Sequence, residues 1–190
     1  MATDRKANLD KFIAALDKAV DIEPCDARCD MIKRILEQAF THKLEILDDE
    51  HMRPADGTYA RHLVHKDPAG RYSVVAMVWD VGQGTALHDH AGEWCVECVY
   101  RGLIRVTSFD LVGSPEDEIV QFKAEDSVLA GVAEAGALIP PFEYHVLENA
   151  VKDGPSVTVH VYGHELTQCH IFVPVDGGYK RETRELGYTA

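Results

Sequence analysis

The 190 residues carry 46% hydrophobic and 27% charged side chains and a formal net charge of −13, the balance of a soluble domain with enough chain for a real core. That acidity argues against nucleic acid, whose phosphates need a basic surface, and against docking on anionic lipid. No apolar run approaches the ~18 residues of a membrane helix, and MATDRKANLDKF lacks the apolar stretch of a secretory signal, so the chain is expected in the cytoplasm, as a monomer or at most a weak dimer.

Two amphipathic helices come first. Leu9, Phe12, Ile13, Leu16 and Val20 recur at helical spacing, and Met31, Ile32, Ile35, Leu36 and Phe40 give a second apolar face over about 26–40, with Pro24 between them. After His51 the texture becomes β-rich. Runs such as RYSVVAMVWDV, EWCVECVYRGLIRVTSFDLV and SVTVHVYGHEL are separated by turn signals at 67–70 (DPAG), 82–84 (GQG), 113–117 (GSPED) and 152–155 (KDGP). Many short strands predict a sandwich or barrel. The expected fold is mainly β, one domain over 1–190 with a helical cap over 1–50 and a barrel over 51–190.

The cysteines are Cys25, Cys29, Cys95, Cys98 and Cys169, an odd number, and in a cytoplasmic chain they are expected as reduced thiols. Cys95 and Cys98 form a C-x-x-C inside a β-type run. It lacks the helix N-terminus of a redox pair and the second C-x-x-C of a zinc ribbon.

Of ten histidines, His42, His51, His62, His65, His164 and His170 read as surface or loop residues. His88 and His90 stand two apart, so on a strand both rings leave one face and can share a divalent metal. A third ligand must come from elsewhere. Gly82, His88, His90 and Gly102 fit the first cupin motif, with Cys95 at its glutamate position; Glu93 is the alternative fourth ligand, one residue short of that spacing. Pro140, His145 and Asn149 fit the second motif, with Phe142 where glycine is usual, which makes His145 the third ligand. The chain therefore resembles the cupins, whose fold is a double-stranded β-helix of jelly-roll type.

Four segments narrow the resemblance. YARHLV (59–64), HDHAGEWC (88–95), HVLENA (145–150) and VTVHVYGHELTQCHIF (157–172) are similar, in order, to segments of the cysteine dioxygenases and their thiol dioxygenase relatives. His62 replaces an asparagine of that pattern, Trp94 replaces the histidine of the animal enzymes, and Thr158 replaces a serine. The resemblance implies Fe(II) on His88, His90 and His145, with a small thiol and O2 as reactants. It implies Arg61 as the anchor for a substrate carboxylate, Tyr59 lining the same pocket, and an outer Thr158–His160–Tyr162 relay. It also implies a thioether cross-link between Cys95 and Tyr162. Three neutral imidazoles leave Fe(II) its full charge, which suits a soft anionic thiolate. The implied reaction is oxidation of L-cysteine to its sulfinate. Mercaptopropionate enzymes typically carry glutamine at the Arg61 position, which favours cysteine. The alternatives are 3-mercaptopropionate, or mercaptosuccinate if Arg181 or Arg184 binds a second carboxylate, and, in another class, a non-enzymatic metal-binding cupin. Cys169 and Met77 read equally well as pocket wall and as core packing.

Overall fold

A computed structural model describes residues 2–141 and 143–189 of the chain; Phe142 lies outside the described residues. Among the described residues two helices, α1 (Ala2–Ala19) and α2 (Cys25–Thr41), precede twelve strands. These are β1 (Ala60–Lys66), β2 (Ser73–Trp79), β3 (Leu87–His88), β4 (Cys95–Arg101), β5 (Leu103–Val112), β6 (Gln121–Ala124), β7 (Val128–Gly131), β8 (Ala135–Leu138), β9 (His145–Asn149), β10 (Ser156–Tyr162), β11 (Gln168–Val175) and β12 (Gly178–Glu185). No described helix is long and apolar enough to cross a membrane.

The strands form two sheets. One runs β1-β2-β10-β4-β8; the other runs β12-β11-β3-β9-β5-β6, with β7 also on β5. Together they make the mainly β barrel of a cupin, and the two helices cover the outer face of the first sheet.

β2 (SVVAMVW) and β10 (SVTVHVY) are buried along their whole length, because both faces of this sheet are covered. Side chains alternate along a strand, so each strand serves two cores. Val74, Ala76, Val78, Val96, Cys98, Val157, Val159 and Val161 pack outward against Leu16, Ile32, Leu36 and Phe40 of the helices. Val75, Met77, Trp79, Cys95, Val99 and Tyr162 point into the barrel. Each fully buried Leu or Ile of the helical layer contributes roughly 1.5–3 kcal/mol.

One detail differs from expectation. Met31 is 40% exposed; the buried stripe of α2 is Cys29, Ile32, Leu36 and Phe40, and Met31 lies one helical step outside it. The first strand, from Ala60, falls on the YARHLVHK run, so residues 51–59 lead into the barrel without a strand of their own. Ahead of them the Asp48 carboxylate holds a turn, accepting the N–H groups of Glu50 and His51 at 3.0 Å each.

Candidate metal centre

The histidines meet inside the barrel. β3 is only two residues long and sets His88 directly opposite His145 of β9. Ring centroids are 5.3 Å apart for His88 and His90, 4.5 Å for His88 and His145, and 5.1 Å for His90 and His145. One nitrogen from each lies within 4.8 Å of the others. Between the first two ligands, Asp89 turns the opposite way. Its carboxylate accepts the His170 backbone N–H and faces the His170 ring, both at 2.8 Å, which fastens β3 to β11.

Nδ1 of His88 lies 3.1 Å from the Ala86 carbonyl; donating there leaves a lone pair on Nε2. That Nε2 stands 3.1 Å from Nε2 of His145. Burial, then the neighbouring imidazoles, holds His90 and His145 well below the usual histidine range, so the rings are neutral. One nitrogen of each ring thus faces a common point, where a bound cation would draw the three lone pairs. This donor set fits a divalent transition metal, and His88, His90 and His145 would hold it. Glu93 is not part of it: its Oε1 lies toward His164, 3.9 Å from Nε2.

Next to the ligands, Cys95 on β4 and Tyr162 on β10 are direct cross-strand partners, so their side chains share the interior face. Cys98, three residues on, faces the helices, and the C-x-x-C does not converge. The five cysteines are free thiols. Burial pushes the Cys95 thiol and the Tyr162 hydroxyl up. His160 lies 2.7 Å from the Thr158 hydroxyl through Nε2, and Trp79 donates its indole N–H to the same oxygen at 2.9 Å. Because indole only donates, the Thr158 oxygen accepts there and keeps its own proton available for His160. The relay stops there: the Tyr162 ring stacks on His160 at 5.7 Å, and its hydroxyl faces Met77 Sδ at 3.8 Å. Met77 therefore does touch the site, and Trp79 joins it unforeseen.

Two buried carboxyl groups were also not foreseen. Glu143 lies 3.8 Å from Nδ1 of His90 and accepts the His90 backbone N–H at 3.1 Å. Glu97 lies 3.8 Å from Nδ1 of His145 and 3.3 Å from Nδ1 of His160. Burial raises Glu143 to about 7 and Glu97 to about 8; a cation among the imidazoles acts the other way, favouring the ionised carboxylates. Glu97 shares the inward parity of β4 with Cys95 and Val99, a signal that counts only once both faces of the sheet are known to be covered. Glu143, in a turn, gives no such signal.

Arg61 is 6% exposed. It donates to the Gly187 carbonyl at 3.0 Å and the Leu166 carbonyl at 3.3 Å, and lies over the Tyr188 ring at 5.5 Å. With Tyr59, Tyr188 and Arg184 it lines a cleft of about 420 Å³. Its charge opposes the burial that raises Tyr59 and Tyr162 and adds to the burial that lowers His160, which places its field across the site. Arg181 is elsewhere, in a bidentate pair with Glu116 at 2.7 and 2.8 Å.

Curled facing sheets with three imidazoles converging between them define a cupin with a metal-binding site. The model of the family "Cysteine dioxygenase type I" matches residues 46–174, more than half of the chain. The chain belongs to the cysteine dioxygenase type I family. Cysteine dioxygenase type 1 from Rattus norvegicus is 25% identical over 114 residues, covering 60% of this chain and 55% of the relative. The Homo sapiens protein is 26% identical over the same shares, so the chain spans about half the length of the curated relatives it matches. Among solved structures, a Klebsiella pneumoniae protein with a double-stranded β-helix domain is similar at a TM-score of 0.47 and 20% identity, covering 61% of this chain and 80% of that one.

Proposed function

We propose that the chain is an Fe(II)-dependent thiol dioxygenase that converts a small thiol acid and O2 to the sulfinic acid, with L-cysteine as the preferred substrate. The observation that carries this reading is the ligand set: three neutral imidazoles with one nitrogen each within 4.8 Å and, among the described residues, no carboxylate in the cluster, with a buried arginine whose field reaches His160 and Tyr162. The reaction balances as RSH + O2 → RSO2H, with both oxygen atoms on sulfur. Iron(II), when bound, supplies the electron-transfer chemistry that couples a thiolate to dioxygen.

The chain's own residues do the rest. Arg61 is permanently charged, and its donors beyond the two spent on carbonyls receive the substrate carboxylate. Clamped by backbone, its guanidinium needs little ordering when substrate arrives. Tyr59 stacks on Trp79 at 4.7 Å and walls the pocket. Tyr162 keeps its proton, since burial raises its pKa, and presents a neutral donor beside His90, ring to ring at 5.8 Å. The cross-strand pairing of Cys95 and Tyr162 supports a thioether between them, formed with loss of the thiol proton and one ring hydrogen and passage of two electrons to O2. An intact mass lower by two hydrogens after turnover is the expected sign, and an unchanged mass removes the cross-link.

Arg184 supports a second reading. It lines the same cleft as Arg61, opposite Cys169 on β11, and could meet a second carboxylate, as in mercaptosuccinate. Oxygen uptake by anaerobically Fe(II)-loaded protein, with L-cysteine, 3-mercaptopropionate and mercaptosuccinate in parallel, separates these. Preference for L-cysteine is expected, mercaptosuccinate would transfer the assignment to Arg61 with Arg184, and no uptake with any thiol would refute the activity.

A further inference from the structure

Glu97 has no evident structural role. It sits on β4 between Gly136 of β8 and His160 of β10 in the strand register, 7% exposed. Its Oε2 is buried without a hydrogen-bond partner among the described residues, and so is Nδ1 of His145. On its other side lies a cavity of about 370 Å³ lined by Val99, Ile104, Val106, Leu147 and other residues that include no lysine, arginine or histidine. A buried carboxyl without compensation costs several kcal/mol in general. The groups that face it are Nδ1 of His145 at 3.8 Å and Nδ1 of His160 at 3.3 Å.

Glu143 makes an instructive contrast. It stands at the same 3.8 Å from His90 but also accepts a backbone N–H, which gives it work in holding the turn. Glu97 faces two imidazoles with its two oxygens. His160 is held at its other end by the Thr158 hydroxyl, which accepts from Trp79 and meets Nε2; with that hydroxyl donating, the ring proton sits on Nδ1, which lies 3.3 Å from Glu97 and 3.9 Å from Cys95 Sγ.

We propose that Glu97 is a positioning residue for the metal centre, holding His145 with Nδ1 protonated and Nε2 toward the metal while tying that ligand to His160 and balancing the charge of the bound cation. This rests on His88, His90 and His145 being the metal ligands. A carboxylate behind a ligating histidine fixes its tautomer and raises its basicity, and losing such a partner typically costs about 10–100-fold in affinity.

The test is Co(II) binding to metal-free protein, followed by visible absorption and chelator competition, beside the melting temperature of the metal-free form. Glu97→Gln and Glu97→Leu are expected to bind Co(II) at least about tenfold more weakly and to shift its absorption bands. The metal-free Glu97→Leu protein is expected to melt no lower than the parent, because it no longer buries an uncompensated carboxyl. Affinities within twofold of the parent in both variants would overturn the role, as would a loss of affinity matched by a loss of metal-free stability. Two cobalt ions per chain, the second lost in both Cys95→Ser and Glu97→Gln, would make Cys95, Glu97 and His160 a ligand set of their own and also overturn it. His145→Ala separates the underlying reading: if the parent binds Co(II) no better than this variant, the metal site itself fails.

Discussion

Replacing Gly163 with alanine tests how Trp94 is seated against the helical layer. A Cβ at Gly163 would lie closer than 3.0 Å to Nε1, Cε2 and Cδ1 of the Trp94 indole. The indole cannot easily retreat: Trp94 is 8% exposed, Arg28 of α2 lies 5.9 Å from its ring, and the Trp94 backbone carbonyl accepts the Gly163 N–H at 3.1 Å. The backbone at Gly163 is outside the left-handed region, so alanine is unwelcome for lack of space alone. Overpacking of this kind costs about 1–3 kcal/mol, or roughly 2–12 °C in melting temperature for a chain of this size. In a Trp94→Ala background the space is open, and the same Gly163→Ala change should be neutral or stabilising by about 0.4–1 kcal/mol through the unfolded chain. Denaturant unfolding of the two single variants and the double variant gives a coupling free energy, expected to exceed about 1 kcal/mol. Equal costs in both backgrounds would refute the steric account.

Trp79→Phe should lower stability by about 1–3 kcal/mol, from the lost Thr158 hydrogen bond and the space left by the indole, seen as a shifted urea midpoint at constant slope; an unmoved midpoint contradicts it. Arg61→Gln should raise KM for a thiol acid about 10–100-fold, the equivalent of a charged hydrogen bond, while iron content stays at the parent level; unchanged KM would remove Arg61 as the anchor. Burial lowers His160 to about 3 from 6.5. Between those values the unfolded chain carries a proton that the fold refuses, so this group's contribution to stability falls as pH drops from 6.5 toward 3, by at most about 1.4 kcal/mol per pH unit. His160→Gln should make stability fall less steeply with acid over that window in metal-free protein, and an identical slope would argue against a neutral buried ring.

Much of this was legible in the residues because it rests on spacing. Helical periodicity placed both helices, alternating β runs with turn signals placed the barrel, and H-x-H parity put His88 and His90 on one face. The second motif carried His145, which the register sets opposite His88. What escaped depends on contacts between distant segments. Arg61 is held by the carbonyls of Leu166 and Gly187, which no local pattern announces. Glu97 in a strand reads as a solvent-facing charge until the sheet is known to be covered on both sides. The relay was expected to end on the Tyr162 hydroxyl, whereas the ring stacks on His160 and turns that hydroxyl to Met77.

The strands of the first sheet are written in two interleaved texts, one read by the helices and the other by the reacting centre. A single-residue insertion or deletion inside β10 would exchange them, sending His160 and Tyr162 into the helical layer and valines toward the ligands. In this sheet the protein can change letters but not shift the reading frame, and a deletion scan should find β2, β4 and β10 intolerant at every position, conservative in size or not. The turn at 113–117 between β5 and β6, which feeds neither text, is where length can vary.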